Sequence, residues 1–256
     1  MPGSDEDLKA RVAAGERLGP DDALSPGYRG EVVRLMTIFV DSELAWAAGY
    51  ANYINRAPGM RERVVAARIV AEKLGHAEQV LALLEAFGVK PELYIRSHAW
   101  TARLDRNTNL GNRRIGEDKR LNVLHYPLEG WTDAVTMNAL FGATTVVHLG
   151  ELAKCSYAPL ADAMSEIVRR EGEHAALGVN GLRQAVERQG RAAAQVAVDY
   201  WYPRVADTFG VVGSERYPLY KVYGLRQQTN AELLGMWESA VAPWLAELNL
   251  AAPSED

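Results

Sequence analysis

The sequence predicts an all-α fold: a four-helix bundle with additional helices at its C-terminal end. Three observations carry this. Apolar residues recur every three to four positions through four long stretches. Clusters of Gly, Pro and Asn punctuate those stretches. No stretch of any length alternates apolar and polar side chains as a half-buried strand would.

The elements follow in order. Residues 1 to about 28 are rich in Gly, Pro, Asp and Ala and read as a flexible arm with one short helix near residues 6–15. The first long helix runs from about Gly30 to Ile54 on Val33, Met36, Ile38, Val40, Leu44 and Ala47, and Arg56-Ala57-Pro58-Gly59 ends it. The second runs from about Met60 to Phe87 on Val65, Ile69, His76, Val80 and Leu83, with Gly88 as its C-terminal cap. Residues 89–130 form an irregular excursion, long enough to carry small helices or a function of its own. The third helix spans about Trp131 to Leu152. Pro159 starts the fourth, which reaches Gln189. A fifth covers about Arg191 to Phe209, and a last amphipathic helix runs from about Thr229 to Leu248. Residues 29–250 are therefore expected to form one domain.

Composition bounds the function. The chain has 256 residues, 48% hydrophobic and 24% charged, which is enough for one sizeable core. Net charge is -5 with dispersed Lys and Arg, so no nucleic-acid surface is expected. The single Cys155 excludes an intrachain disulfide framework and fits a reducing, cytoplasmic setting. The acidic start of the chain does not read as a signal peptide, and no run approaches the roughly 20 apolar residues of a membrane span.

The chemistry centres on Arg169-Arg170-Glu171-Gly172-Glu173-His174. Glu171 and His174 are three apart and share a helical face, the half-site that four-helix di-metal carboxylate proteins use twice. The chain can be laid symmetrically around it. Glu43 lies 14 residues before the turn at Ala57 and Lys73 lies 16 after it; Gly142 lies 14 before the turn at Ser156 and Glu171 lies 15 after it. At ~1.5 Å per residue all four stand about 20–24 Å from their turns, at one depth in the bundle. His76 and His174 each follow the second member of their pair by three. A complete two-metal site would have carboxylates at all four positions, but this chain has Lys73 and Gly142 at two of them.

Several motifs resemble the catalytic A subunit of bacterial phenylacetyl-CoA oxygenases (epoxidases). They are Ser42-Glu43-Leu44, Asn55-Arg56-Ala57-Pro58, Gly75-His76-Ala77, His125-Tyr126-Pro127, Trp131-Thr132-Asp133, Cys155-Ser156-Tyr157-Ala158-Pro159 and Glu171-Gly-Glu-His174, continuing through Tyr200-Trp201-Tyr202-Pro203 and Gln227-Gln228-Thr229-Asn230-Ala231-Glu232-Leu233. The resemblance spans about residues 30–245. It implies a ferritin-like bundle, a di-iron centre, an acyl-CoA substrate and a partner, a second ferritin-like subunit without metal. Carried over, Glu43, His76, Glu171 and His174 match ligand positions, while the family's Glu before the first His falls on Lys73 and its third-helix Asp falls on Gly142.

A protonated Lys donates no lone pair to a metal, so its ammonium is expected to replace metal charge and pair with Glu43 and Glu171. Lys73, Glu43, Glu171, His76 and His174 are the expected catalytic cluster. No cofactor is expected, and if iron is bound its ligands would be Glu43, Glu72, His76, Glu171 and His174. Glu72, four before His76, is the substitute ligand in that alternative. His148 and Glu151 read as a core His and a rim Glu rather than a third half-site. Among the basic residues of the excursion, Arg103, Arg106, Arg113 and Arg114 read either as a solvated loop or as a clamp for an anionic substrate. Three functions fit: a metal-independent acid–base enzyme of small-molecule biosynthesis, a di-iron oxygenase acting on an acyl-CoA, or a non-catalytic scaffold subunit.

Overall fold

The computed structural model describes residues 4–253 and places nine helices among them. They are α1 (Asp5–Ala13), α2 (Pro26–Ala51), α3 (Met60–Glu85), α4 (Pro91–Ser97), α5 (Trp131–Leu152), α6 (Ala158–Gln189), α7 (Arg191–Ala206), α8 (Tyr217–Val222) and α9 (Asn230–Glu247). Among the described residues there is no β-strand, only one bridge between Leu18 and Tyr157. None of these helices is long and apolar enough to cross a membrane.

The bundle is two helix hairpins. Helix α2 packs along α3, α5 packs along α6, and α3 meets α6 across the middle. Helices α7 and α9 cover the outer side of α5. Start and stop signals in the sequence set the ends. The Ser25 hydroxyl accepts from the Tyr28 amide with Pro26 behind it, so α2 begins four residues earlier than its apolar period alone suggests. Thr229 and Glu232 form a reciprocal capping box at the start of α9.

Residues 4–25, expected to be a loose arm, lie on the bundle in this structure. Leu8 and Leu18 are buried. The Leu18 amide donates to the Ser156 carbonyl at 2.7 Å, and the Ala158 amide donates to the Leu18 carbonyl at 2.8 Å. The physical reason is that the turn between α5 and α6 exposes backbone groups that this strand-like segment satisfies. Residues 1–3 of the expected arm lie outside the described residues.

The α5–α6 contact depends on missing side chains. A Cβ on Gly142 would stand 2.9 Å from the Ala175 Cα, and one on Gly178 would stand 2.7 Å from the Ala139 amide nitrogen. These are backbone atoms, which cannot step aside without parting the helices. Gly142 is therefore a packing residue, and a carboxylate added there would have no room while α5 and α6 stay at this spacing. Gly178→Ala is expected to destabilise the fold by ~1–3 kcal/mol through overpacking. Gly75→Ala, where a Cβ meets nothing within 4 Å, should stabilise α3 by ~0.5–1 kcal/mol. Urea denaturation of the two variants checks the contrast; equal effects of one sign would show that the close approach is not what Gly178 serves.

Candidate functional site

Three of the four bundle helices, α2, α3 and α6, bring one charged cluster together at mid-depth. Lys73 on α3 donates to Glu43 Oε1 on α2 and to Glu171 Oε2 on α6, each at 2.8 Å. Lys73, Glu43 and Glu171 are all essentially shut off from solvent. The Lys73 ammonium also lies 4.9 Å from the centre of the Trp46 ring, so an aromatic face supports its charge. His76 Nδ1 lies 2.9 Å from Glu171 Oε1 and 3.4 Å from Glu43 Oε2. His174, buried beside them, takes Glu72 through Nε2 at 2.5 Å. Its Nδ1 lies 3.3 Å from Glu171 Oε1 but off the line of a hydrogen bond.

Burial alone would drive Lys73 toward neutrality. Glu171 and Glu43 more than offset it, and its pKa rises above the ordinary value. Burial opposes ionisation of Glu171 as well, yet the Lys73 ammonium and the two imidazoles hold it well below the usual carboxylate range. His76 is weakened by burial, but the neighbouring Glu171 and Glu43 carboxylates raise it to about 9, so it carries charge at neutral pH. Two cations thus face two carboxylates at the centre.

The residues expected to form the cluster do meet, and Glu72 reaches it through His174. The donor atoms of Glu43, His76 and Glu171 lie within 4.8 Å of one another, close enough to hold one metal ion. Lys73 engages Glu43 Oε1 and Glu171 Oε2, and an ion held by the oxygens facing His76 would sit beside its ammonium and be repelled by it.

Glu43 Oε2 is buried without a hydrogen-bond partner. Glu43 lines a cavity of about 90 Å³ between α2 and α5, together with Leu35, Phe39, Phe141, Thr144, Thr145 and His148 among others. His148 is stacked at 4.7 Å on Phe209, and its Nε2 is also buried and unpartnered. Glu151, expected at a rim, is buried and accepts from the Gln227 and Gln228 amides at 2.8 Å.

The four arginines expected to clamp a substrate do not converge. Arg106 makes a two-pronged pair with Asp133 at 2.8 and 2.9 Å, and Asp133 also accepts from Trp201 Nε1 at 2.7 Å. Arg103 donates to the carbonyls of Ala45, Trp100 and Ala102. Arg113 is held by the Asn109 carbonyl, and Arg114 by that of Lys119. Their charges were legible in the sequence, but the loop's own carbonyls and Asp133, which claim them, were not. Asp41 is a supporting residue that sequence reasoning missed. It is fully buried beside Glu43 and accepts from Tyr94 Oη at 2.7 Å and the Lys119 amide at 2.6 Å, pinning the excursion to α2.

This geometry defines a class: an all-α, ferritin-like bundle with a buried Glu/Lys/His cluster between three of its four central helices. The chain belongs to the phenylacetic acid catabolic protein family, whose model matches residues 16–256. It is 24% identical over 260 residues to the A subunit of 1,2-phenylacetyl-CoA epoxidase from Escherichia coli (strain K12), an alignment covering 98% of this chain and 78% of that protein.

Lys73→Ala is expected to leave Glu43 and Glu171 facing each other without a cation and to cost ~3–5 kcal/mol. An unchanged denaturation midpoint would show that the ammonium is not what holds them. The cavity predicts a pH effect as well. Burial, then the nearby Arg226 guanidinium, lowers His148 from 6.5 to about 4. The folded value lies below the unfolded one, so stability is intact above about 6.5 and falls as pH drops toward about 4. His125, also lowered to about 4 by burial, shares the window. His148→Leu should therefore shallow the acid-side slope without abolishing it. Thermal melts between pH 4 and 7 that superimpose for the two proteins would contradict this.

Proposed function

We propose that the chain is a metal-independent enzyme of small-molecule biosynthesis that uses this cluster for acid–base chemistry: an elimination, an intramolecular displacement or a ring closure that expels an anion such as sulfate or phosphate. The observation that supports it is the Lys73 ammonium 2.8 Å from both Glu43 and Glu171, which supplies from within the chain the positive charge that buried carboxylates need. A di-iron centre fits these residues poorly. One metal-facing carboxylate position is a cation, and the other is Gly142, packed against the α6 backbone.

In this reading Glu43 is the base. Its Oε1 is fixed by Lys73, its Oε2 accepts no hydrogen bond and lies 3.4 Å from His76 Nδ1, and the residue lines the cavity. Oε2 takes the proton from an N–H or O–H nucleophile of the substrate. The freed electron pair closes onto carbon, and the carbon–oxygen bond to the leaving anion breaks with its electrons on that oxygen. Nothing is oxidised or reduced. Lys73 is a positioning residue, since both carboxylates and the Trp46 face engage it and it does not line the cavity. The mobile protons are those of Glu43 and of His76, which lies between the two carboxylates.

A second reading has one observation in its favour: the Glu43, His76 and Glu171 donors are near enough for a metal, as an iron oxygenase acting on an acyl-CoA would require. A partner protein, a second ferritin-like chain, is proposed on the ground that the Escherichia coli relative is one subunit of an epoxidase, with a cytoplasmic assembly as the setting.

Protein produced in iron-rich medium is expected to hold well under one iron per chain, with turnover indifferent to chelators and abolished in Glu43→Gln. Elemental analysis finding two irons per chain would replace the metal-independent reading with the oxygenase one. The partner proposal predicts self-association of the isolated chain by light scattering; a fully active monomer would remove it.

A further inference from the structure

A second and larger cavity lies toward the other end of α5. It is a groove of about 270 Å³ between α3, α5 and α6, with Tyr50 of α2 in its wall. Most of its wall is apolar: Tyr50, Val65, Ile69, Trp131, Val135 and Leu177. It shares no lining residue with the α2–α5 cavity. That cavity takes its α5 side chains from Phe141 onward, whereas the groove takes Trp131, Val135 and Asn138.

The spacing on each helix gives the groove its direction. Arg61, Val65 and Ile69 on α3, Trp131, Val135 and Asn138 on α5, and Gln184, Gly181 and Leu177 on α6 each step along one helical face. Arg61 and Ile69 are eight residues apart, and the end members on α5 and α6 are seven apart. The groove therefore runs about 10–12 Å along the bundle. Ile69 is four residues from Lys73 and Leu177 is three from His174, so its inner end stands about one helical turn from the charged cluster. The Asn138 side-chain amide, at that end, donates to the His174 carbonyl at 3.4 Å. The Tyr50 ring stacks at 4.4 Å on Trp46, whose own ring lies 4.9 Å from the Lys73 ammonium.

Two features mark a ligand site rather than a packing gap. Tyr50 is buried, yet its hydroxyl makes no hydrogen bond among the described residues, and burial alone pushes its pKa above the ordinary value. A buried hydroxyl without a partner is costly, and a polar atom of a ligand in the groove would satisfy it. At the outer end the charges are unevenly committed. Glu62 pairs with Arg188 at 3.0 Å and Arg183 with Glu247 at 2.8 Å. Arg61, exposed at the same end, makes no ion pair or hydrogen bond among the described residues. An apolar wall with a few polar groups at its ends is the usual make-up of a small-molecule site.

We infer that this groove binds an amphipathic carboxylate: its anion at Arg61, its apolar body along α3, α5 and α6, and a hydrogen-bonding atom at the Tyr50 hydroxyl. The planar N–H fork of Arg suits a carboxylate. The site goes beyond the acid–base reading and does not rest on it, since Glu43 does not line the groove.

The test measures calorimetric binding and melting temperature of the full chain with 8-hydroxyoctanoate, octanoate and octanamide, each below its micelle-forming concentration. Their extended chains suit the run of the groove. The hydroxy acid is expected to bind best, with octanoate about two- to tenfold weaker for the lost hydrogen bond and octanamide about tenfold weaker than octanoate for the lost charge. Arg61→Gln should weaken both carboxylates about tenfold and leave the amide unchanged. Tyr50→Phe should bind the hydroxy acid and octanoate alike, and should melt no lower than the parent, because the hydroxyl it removes bonds to nothing. The exposed Arg96→Gln, on α4, should change no affinity. Glu43→Gln should keep all three affinities even where turnover is lost, which separates failure of this site from failure of the proposed chemistry. Circular dichroism confirms that each variant folds. No binding by any of the three compounds, or affinities unchanged in folded Arg61→Gln and Tyr50→Phe, would overturn the assignment.

Discussion

The structure depends on one constraint: Glu43 and Glu171, on helices from different hairpins, are buried within reach of each other and need a positive charge between them. Lys73 supplies it, reaching both from α3 at 2.8 Å. Its value lies less in the strength of either ion pair than in the penalty for removing it, because a buried carboxylate without a partner is far more costly than an exposed one. The same contact joins α2, α3 and α6, so the charge balance of the site and the closure of the bundle are one arrangement. His76 adds a second positive charge from the next turn of α3, and His174 is tied outward to Glu72.

Around this centre the polar residues sort into supports and free ends. Asp41 and Ser42, directly before Glu43, hold the Lys119 and Leu121 amides, so the excursion after α4 is fastened beside the cluster. Asp133 gathers Arg106, Trp201 and the Glu129 amide and locks α5 to α7. Ser156 Oγ donates to the Tyr223 carbonyl at 2.6 Å and accepts from Tyr28 Oη at 2.7 Å, binding the α5–α6 turn to α2 and to the end of α8. Among the described residues, Glu43 Oε2 and His148 Nε2 are buried without a hydrogen-bond partner, and both residues line the α2–α5 cavity.

Much of this was legible in the sequence. The helices appear where the apolar period and the Pro and Gly signals put them, because those signals act locally. Residue counts from two turns and the rise of a helix put Glu43, Lys73, Gly142 and Glu171 at one level, with His76 and His174 three residues further on, and in the structure Lys73 bonds to Glu43 and Glu171 while His76 lies 2.9 Å from Glu171. Other features were not legible. The fate of Arg103 and Arg106 was decided by loop carbonyls and by Asp133 on another helix, which no spacing reveals. Gly142 reads as a missing ligand in one dimension and as a helix contact in three, since only the α5–α6 distance shows what a side chain there would strike. The segment before α2 looked loose because its anchors, Ser156 and Ala158, are more than a hundred residues away. Helix α8, six residues long, was too short to leave a periodic trace.

The central claim is that the Lys73 ammonium occupies the place between Glu43 and Glu171 that a metal would need. Diffraction from crystals of protein made in iron-replete medium, with data collected on both sides of the iron absorption edge, tests it most directly. The account predicts continuous density from Lys73 to both carboxylates and no anomalous peak in the cluster. An anomalous peak between Glu43 and Glu171, with Lys73 displaced from them, would contradict it.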